Sequence, residues 1–317
     1  MPLVLEPSWV GRRVSVRLVA GARADGRVLY TDVVGELLML DGERAVIDSR
    51  NGLVDVCVAD VHIARIAPPS TAAELALEAV AARGWRAAET STIGGWLLRA
   101  DHGFTGRANS VLPLAAPGVS LDEALDEARR WYAGRGLQLR LQVPTEARRL
   151  LDAELGERGW PADPDVHVMA TRLDTAPAAH RQQPPVDLDA EPAEKWLAQF
   201  RAGTAPSAVA RDLLMRHDTV TFASIRLDGE VAAIGRGVVD DGWLGITAVE
   251  VATAHRRQGL ARQVMAALRD WGTAHGALHG YLQVSADNVA AVTLYRELGY
   301  WLHHDFRYRS APADSAT

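Results

Sequence analysis

The sequence predicts a small all-β barrel followed by two tandem α/β lobes, and three observations predict it. Residues 1–68 read as strands only, short runs rich in Val and Leu separated by Gly, Asp and Asn. From residue 71 onward, helical and strand-like spacings alternate. A pattern also recurs 140 residues along the chain, with one extra residue before the second Leu-Gln-Val and one fewer after it. Trp131…Gly136, Leu141-Gln142-Val143 and Gly159-Trp160 return as Trp271…Gly276, Leu282-Gln283-Val284 and Gly299-Tyr300. Two copies of one helix–strand–helix–strand unit explain that recurrence.

In the barrel region, strands are predicted at 14–18, 27–31, 36–40, 45–48 and 54–58, with turns such as Asp41-Gly42 and Asn51-Gly52. Pro68-Pro69-Ser70 ends this pattern, so the barrel is assigned to residues 1–68. The first lobe, residues 71–174, opens on a helix at 71–84. A second helix follows at 121–132, with Ser120 placed to cap it, and a third at 145–156. Strands are expected between them at 96–99, 110–114, 137–143 and 166–172. Residues 174–190, dominated by Pro, Ala and polar side chains, read as a linker. The second lobe is assigned to residues 185–310, and the small polar tail at 311–317 is expected to be disordered.

Composition excludes several classes. The chain has 317 residues, 48% hydrophobic and 23% charged, which suits two or three ordinary globular domains. A net charge of −6 lacks the basic footprint that nucleic-acid binding needs. Lys195 is the only lysine, so there is almost no side-chain amine for self-acylation. Cys57 is the only cysteine, which excludes an intrachain disulfide and a cysteine metal site. Residues 1–6 lack the basic and apolar regions of a signal peptide, and no apolar run approaches the ~18 residues of a membrane helix. A cytoplasmic chain with no membrane partner is expected. Nothing in the sequence bears on oligomeric state.

The chemistry is expected near residue 255. An apolar strand-like run at 243–252 feeds Thr253-Ala254-His255-Arg256-Arg257-Gln258-Gly259-Leu260-Ala261, and a helix extends from there to about Trp271. Helix N-termini carry free N–H groups and the positive end of the dipole, so a strand–loop–helix of this kind suits a phosphate. Gly259 and the small Ala261 allow close approach, and Arg256, Arg257 and Arg262 add positive charge. Taken alone, the loop reads better as a helix start with solvated arginines. Further on, Asn288 stands where it can cap a helix on which Ala291, Leu294 and Leu298 share a face, with Tyr295 beside them near the helix end.

Together these segments resemble the GNAT acetyltransferase superfamily. The loop matches its Arg/Gln-x-x-Gly-x-Gly/Ala motif, and residues 288–300 match its Asn-x-x-Ala-x-x-Leu-Tyr-x-x-x-Gly-Phe/Tyr block. Val249 and Val251 match the paired valines before the loop. Thr253 replaces a common proline, and Ala261 takes the last glycine position. The resemblance implies acetyl-CoA as acyl donor and direct transfer to a primary amine. It also implies that the backbone of Val249 and Val251 pairs with the pantetheine arm. The amides of Arg257, Gln258, Gly259, Leu260, Ala261 and Arg262 would cradle the pyrophosphate, with Arg256 beside them. Asn288 would contact the arm, and Tyr295 would protonate the departing thiolate. Alkyl amines are mostly protonated at neutral pH, so a base or a desolvated pocket is needed. Glu250 is the candidate base; it reads as readily as a solvated strand residue.

The first copy lacks these features: Ala116-Pro117-Gly118-Val119-Ser120-Leu121 stands in place of the loop, and Leu155 in place of Tyr295. Its 105–110 stretch, Thr-Gly-Arg-Ala-Asn-Ser, reads as a polar strand edge or as a face turned to the acceptor. The whole layout resembles an actinobacterial tandem-GNAT family with an SH3-like N-terminal domain, some members of which are described as histone-acetyltransferase-like. The acceptor, small molecule or protein, is open. An acetyl-CoA-sensing module without turnover and an inert scaffold are the alternatives. No metal is expected. His275 and His279 are four apart, but Gly276 and Gly280 argue against a helix between them. His303-His304-Asp305 reads as an exposed strand end or as part of the acceptor pocket.

Overall fold

The computed structural model describes residues 5–173, 184–203 and 207–312. Most of the expected linker and all but two residues of the expected tail lie outside them. The chain forms two compact units, Met1–Ser70 and Thr71–Thr317.

The first unit is a five-stranded antiparallel sheet of β1 (Arg13–Ala22), β2 (Val28–Leu40), β3 (Arg44–Ser49), β4 (Gly52–Cys57) and β5 (Val61–Ile66), in the order β4-β3-β2-β1-β5. Its core is Trp9, Val14, Val16, Leu37, Ile47, Val56 and Ala64. Among the described residues no pairing of β4 with β5 closes it into a barrel. The separate strands expected at 27–31 and 36–40 are one strand, β2. Gly35 between them is not a turn residue: a Cβ there would lie 2.1 Å from the Asp48 carbonyl oxygen, so it permits close strand approach. β5 was not expected, because a single 3-10 turn at Val58–Asp60 precedes it without Gly or Pro.

The second unit begins with α1 (Thr71–Arg83), then β6 (Glu89–Ile93), β7 (Trp96–Ala100), β8 (Val111–Pro113), α2 (Leu121–Ala133), β9 (Arg140–Pro144), α3 (Arg149–Glu157) and β10 (Val166–Arg172). It continues with β11 (Asp187–Asp189), α4 (Glu194–Gln199), α5 (Ser207–Met215), β12 (Val220–Leu227), β13 (Glu230–Asp240), β14 (Trp243–Val251), α6 (Leu260–Ala274), β15 (His279–Ser285), α7 (Val289–Glu297) and β16 (Trp301–Ser310). β11 lies within the stretch expected as linker. α3 starts four residues later than expected, because β9 runs on to Pro144 and a turn intervenes.

All eleven strands form one sheet, in the order β11-β12-β13-β14-β15-β10-β16-β9-β8-β7-β6. Its two halves repeat one pattern: three antiparallel strands and then a parallel pair, β8 with β9 in one half and β14 with β15 in the other. The halves exchange their last strands. β10 pairs with β15 from Val166↔Ser285 to Arg172↔His279, and β16 pairs with β9 from Phe306↔Pro144 to Ser310↔Arg140. β10 and β16 pair with each other at the centre. The apolar faces of α6 and α7 close one core, with Leu260, Val264, Met265, Leu268, Val292 and Tyr295 buried against Ile246 and Leu282. α2 and α3 close the matching core of the other half around Leu125, Tyr132, Leu141 and Leu155.

Candidate functional site

The site is where β14 and β15 part. Their parallel pairing runs from Trp243↔His279 to Ile246↔Leu282 and stops there. Beyond it β14 carries a bulge: Thr247 faces Arg236 and Glu250 faces Ile234, so β14 has one residue too many. Ala248 sits in the bulge at φ 54°. A non-glycine residue there costs roughly 1–2 kcal/mol, and bulges of this kind bend a strand beside a site. The gap between the strands opens a cavity of ≈ 250 Å³. Residues 246–250 and 282–285 line it, with Asn288 and Tyr295 from α7. Trp85, Arg107, Phe200 and Arg201 complete the lining.

Val249, Glu250, Asn288 and Tyr295 therefore lie around one cavity, as does the 105–110 stretch through Arg107. Val249 and Val251 pack on the core. The Glu250 carboxylate accepts from the Arg201 backbone N–H at 3.1 and 3.2 Å, and Arg201 adopts φ 52° to present that N–H. Burial pushes the Glu250 carboxyl above the ordinary carboxylate range, against the lowering pull of the Arg201 N–H and guanidinium. Tyr295 is buried at the end of α7, its ring centroid 6.2 Å from that of Tyr300, and burial pushes its hydroxyl up to about 12. It holds its proton at neutral pH. Asn288 accepts from the Ala291 N–H at 3.2 Å and caps α7.

The loop before α6 is exposed. Arg256, Arg257 and Gln258 follow a single 3-10 turn at Thr253–His255. Arg257 has φ 63° and Gly259, the N-cap of α6, has φ 80°. Two left-handed residues thus bracket Gln258 at the start of the helix. No side chain caps α6. Leu260 is buried and anchors the helix; Ala261 and Arg262 follow in its first turn, Arg262 paired with Glu297. Arg256 reaches back to the Val251 carbonyl at 3.4 Å.

The first half closes both corresponding features with its own side chains. Ser120 caps α2 in a capping box with Glu123, which puts a carboxylate at the helix N-terminus. Where β8 and β9 would part, the Arg148 guanidinium donates to the Pro113 carbonyl at 2.7 Å and to the Leu114 carbonyl. Arg148 is the N-cap of α3, 140 residues before Asn288. The repeat spacing held that signal, and sequence reasoning missed it. It also missed Trp85 and Arg201, which no motif marks.

Both readings of residues 303–305 are corrected. His303-His304-Asp305 is not an exposed strand end and does not line the cavity. His304 is buried, with Nε2 2.9 Å from Glu78 Oε1 and Nδ1 2.7 Å from His303 Nδ1. Asp305 lies 2.6 Å from His167. His275 stacks on Trp271 and His279 on Trp243. Among the described residues no helix is long and apolar enough to cross a membrane.

The residues that carry the GNAT resemblance thus meet where the parallel pair of a mixed sheet parts, and comparison with known proteins gives the class, GNAT-type acyltransferases. Residues 71–309 match the family model described as "Probable histone acetyltransferase Rv0428c C-terminal", and the chain belongs to that family of GNAT N-acetyltransferases. The chain is 32% identical over 322 residues to the "Probable histone acetyltransferase Rv0428c" of Mycobacterium tuberculosis, covering 96% of this chain and 97% of that protein. It is 28% identical over 243 residues to the "Uncharacterized N-acetyltransferase YobR" of Bacillus subtilis, covering 74% and 96%. Among solved structures it shares its fold with a GCN5-related N-acetyltransferase from Kribbella flavida. There the TM-score is 0.59 at 21% identity, over 79% of this chain and 98% of that one. The protein is an acyltransferase.

Proposed function

We propose that the chain transfers an acetyl group from acetyl-CoA to a primary amine by direct attack, at one site per chain. The observation that carries this is the uncapped, glycine-led N-terminus of α6 beside the parted β14 and β15, in a chain whose other half caps and plugs the same features. Acetyl-CoA, when bound, supplies the thioester carbonyl that accepts the amine. The first-turn N–H groups from Arg257 to Arg262, with Arg256 beside them, hold the pyrophosphate. The backbone at Val249 and Val251 offers the pantetheine arm a strand edge, and Asn288 meets the arm across the gap. Glu250, its carboxyl raised by burial, takes the proton of the acceptor ammonium. As the C–N bond forms and the C–S bond breaks, Tyr295 gives its proton to the departing sulfur, and the proton shed by the new amide nitrogen restores the Tyr295 hydroxyl.

The first unit is proposed to be an SH3-like module with no part in holding the donor, and the cytoplasm is the proposed compartment. A chain starting at Thr71 should bind acetyl-CoA as the full chain does. Calorimetry with acetyl-CoA tests the stoichiometry, and two sites per chain would refute the single-site reading. Thiol release over an amine panel tests turnover, with the exposed Cys57 as a fixed background of one thiol. Binding without turnover on any amine would favour the sensing module instead.

A further inference from the structure

We propose that the acceptor is a small amine bearing a carboxylate, in chemical class a free amino acid, and that Arg107 binds that carboxylate while Glu250 receives the amine. The inference rests on the acyl-transfer reading above and names its acceptor.

The charges lining the cavity are Arg107, Arg201 and Glu250. The Arg107 guanidinium and the Glu250 carboxylate share the lining. A polyamine, an aminoglycoside or a lysine-rich peptide would bring several positive charges to a lining that offers one carboxylate. An amino acid brings one charge of each sign, and the lining offers both.

Arg107 is oriented but not neutralised. Its Nε donates to Gln283 Oε1 at 2.6 Å, and its guanidinium carbon lies 5.6 Å from the centroid of the Trp85 ring. These two contacts fix the plane of the fork. Among the described residues its two Nη atoms have no hydrogen-bond partner, and no carboxylate lies within ion-pair distance of it. A planar fork with both terminal nitrogens open suits two parallel bonds to a carboxylate. Arg201 lies close enough that repulsion by Arg107 adds to the burial that lowers its pKa, and an anion between or beside them would relieve that repulsion.

The test uses the full chain saturated with CoA, which occupies the donor site without reacting. A panel of free α- and ω-amino acids, their carboxamides and spermidine is titrated by calorimetry. The same panel is then assayed with acetyl-CoA. At least one amino acid should bind and be acetylated, with its carboxamide weaker by about ten- to a hundredfold, the range of a charged hydrogen-bond pair. Arg107→Gln should bring the acid down to the level of its amide and leave CoA affinity unchanged, which also reports that the variant is folded. Arg107→Lys should recover part of the difference. Amides or spermidine equal to or better than the acids would overturn the proposal. So would equal losses on acid and amide in Arg107→Gln, or no amino acid bound at all. Failure of CoA itself to bind is a different result, because it removes the acyl-transfer reading first.

Discussion

Gly259→Asp should abolish most donor affinity while leaving the fold intact. Gly259 has φ 80° and ψ 1°, and a Cβ there would meet nothing within 4 Å. The cost of the side chain is therefore conformational, about 1 kcal/mol, and least for Asp and Asn, which tolerate the left-handed region. The electrostatic effect is larger. One carboxylate about 5 Å from one phosphate charge repels it by roughly 0.8 kcal/mol at the dielectric of water and by roughly 3 kcal/mol at an effective value near 20. The new carboxylate also competes for the first-turn N–H groups that the pyrophosphate needs. The strain is present in free and bound protein alike and cancels in Kd, so the electrostatic effect of about 1–3 kcal/mol is read as roughly 5- to 150-fold in Kd. Gly259→Asn has nearly the same shape and no charge, and should stay within about tenfold of wild type. Calorimetry on both variants at low and high salt separates the terms, since the difference between them should shrink as salt rises. Near wild-type binding by the Asp variant would refute the placement of the pyrophosphate at α6.

Tyr295→Phe keeps the buried ring and removes the hydroxyl. Turnover should fall about 10²–10³-fold with acetyl-CoA affinity nearly unchanged, and a wild-type rate with chemistry rate-limiting would remove Tyr295 from the mechanism. Glu250→Gln should lower the rate about a hundredfold and remove the acid limb of kcat/KM, a limb expected above the ordinary glutamate range because burial raises that carboxyl. The raised pKa also sets a stability sign. Ionised Glu250 opposes folding above its folded pKa, and the penalty fades as pH falls through it, so Glu250→Gln should melt no lower than wild type at neutral pH. A chain of residues 185–310 alone should fail to fold, because it lacks β10 between β15 and β16. A cooperative melt from such a fragment would refute that.

What was legible in the sequence is what local geometry demands of local residues. Asn288 announces a helix cap and the run at 243–252 a strand, and each is found there; Gly259, read as admitting an anion, is a left-handed N-cap. Such features are set within a few residues of the chain. Gly35 misled for a physical reason: a glycine that opens a turn and one that admits a neighbouring carbonyl look alike in sequence. Arg107 reaches the cavity from the other half of the sheet, 143 residues before Glu250, and Arg201 stands 49 residues before Glu250; no spacing rule links them. The burial of His304 depends on Glu78 of α1, 226 residues away.

The strand exchange explains why a half with no open cleft persists. Had the first half lost only a donor site, its strands would be dispensable. Instead β10 supplies the partner that β15 needs on the side away from β14, and β9 supplies one for β16. Deleting the first half would expose the backbone of β15 and β16 along most of their length, and buried ladders left unpaired are costly. The same half sends Trp85 and Arg107 into the cavity beside Glu250. Its own cleft was free to close, with Arg148 and Glu123 filling the places of a ligand, because neither the sheet nor the neighbouring site depends on that cleft. What is constrained in the first half is therefore its outer strands and one wall. Substitutions at Arg99, Gln142 and Glu78, the buried chain that ties β7, β9 and α1 together, should disturb that wall before they disturb the donor loop.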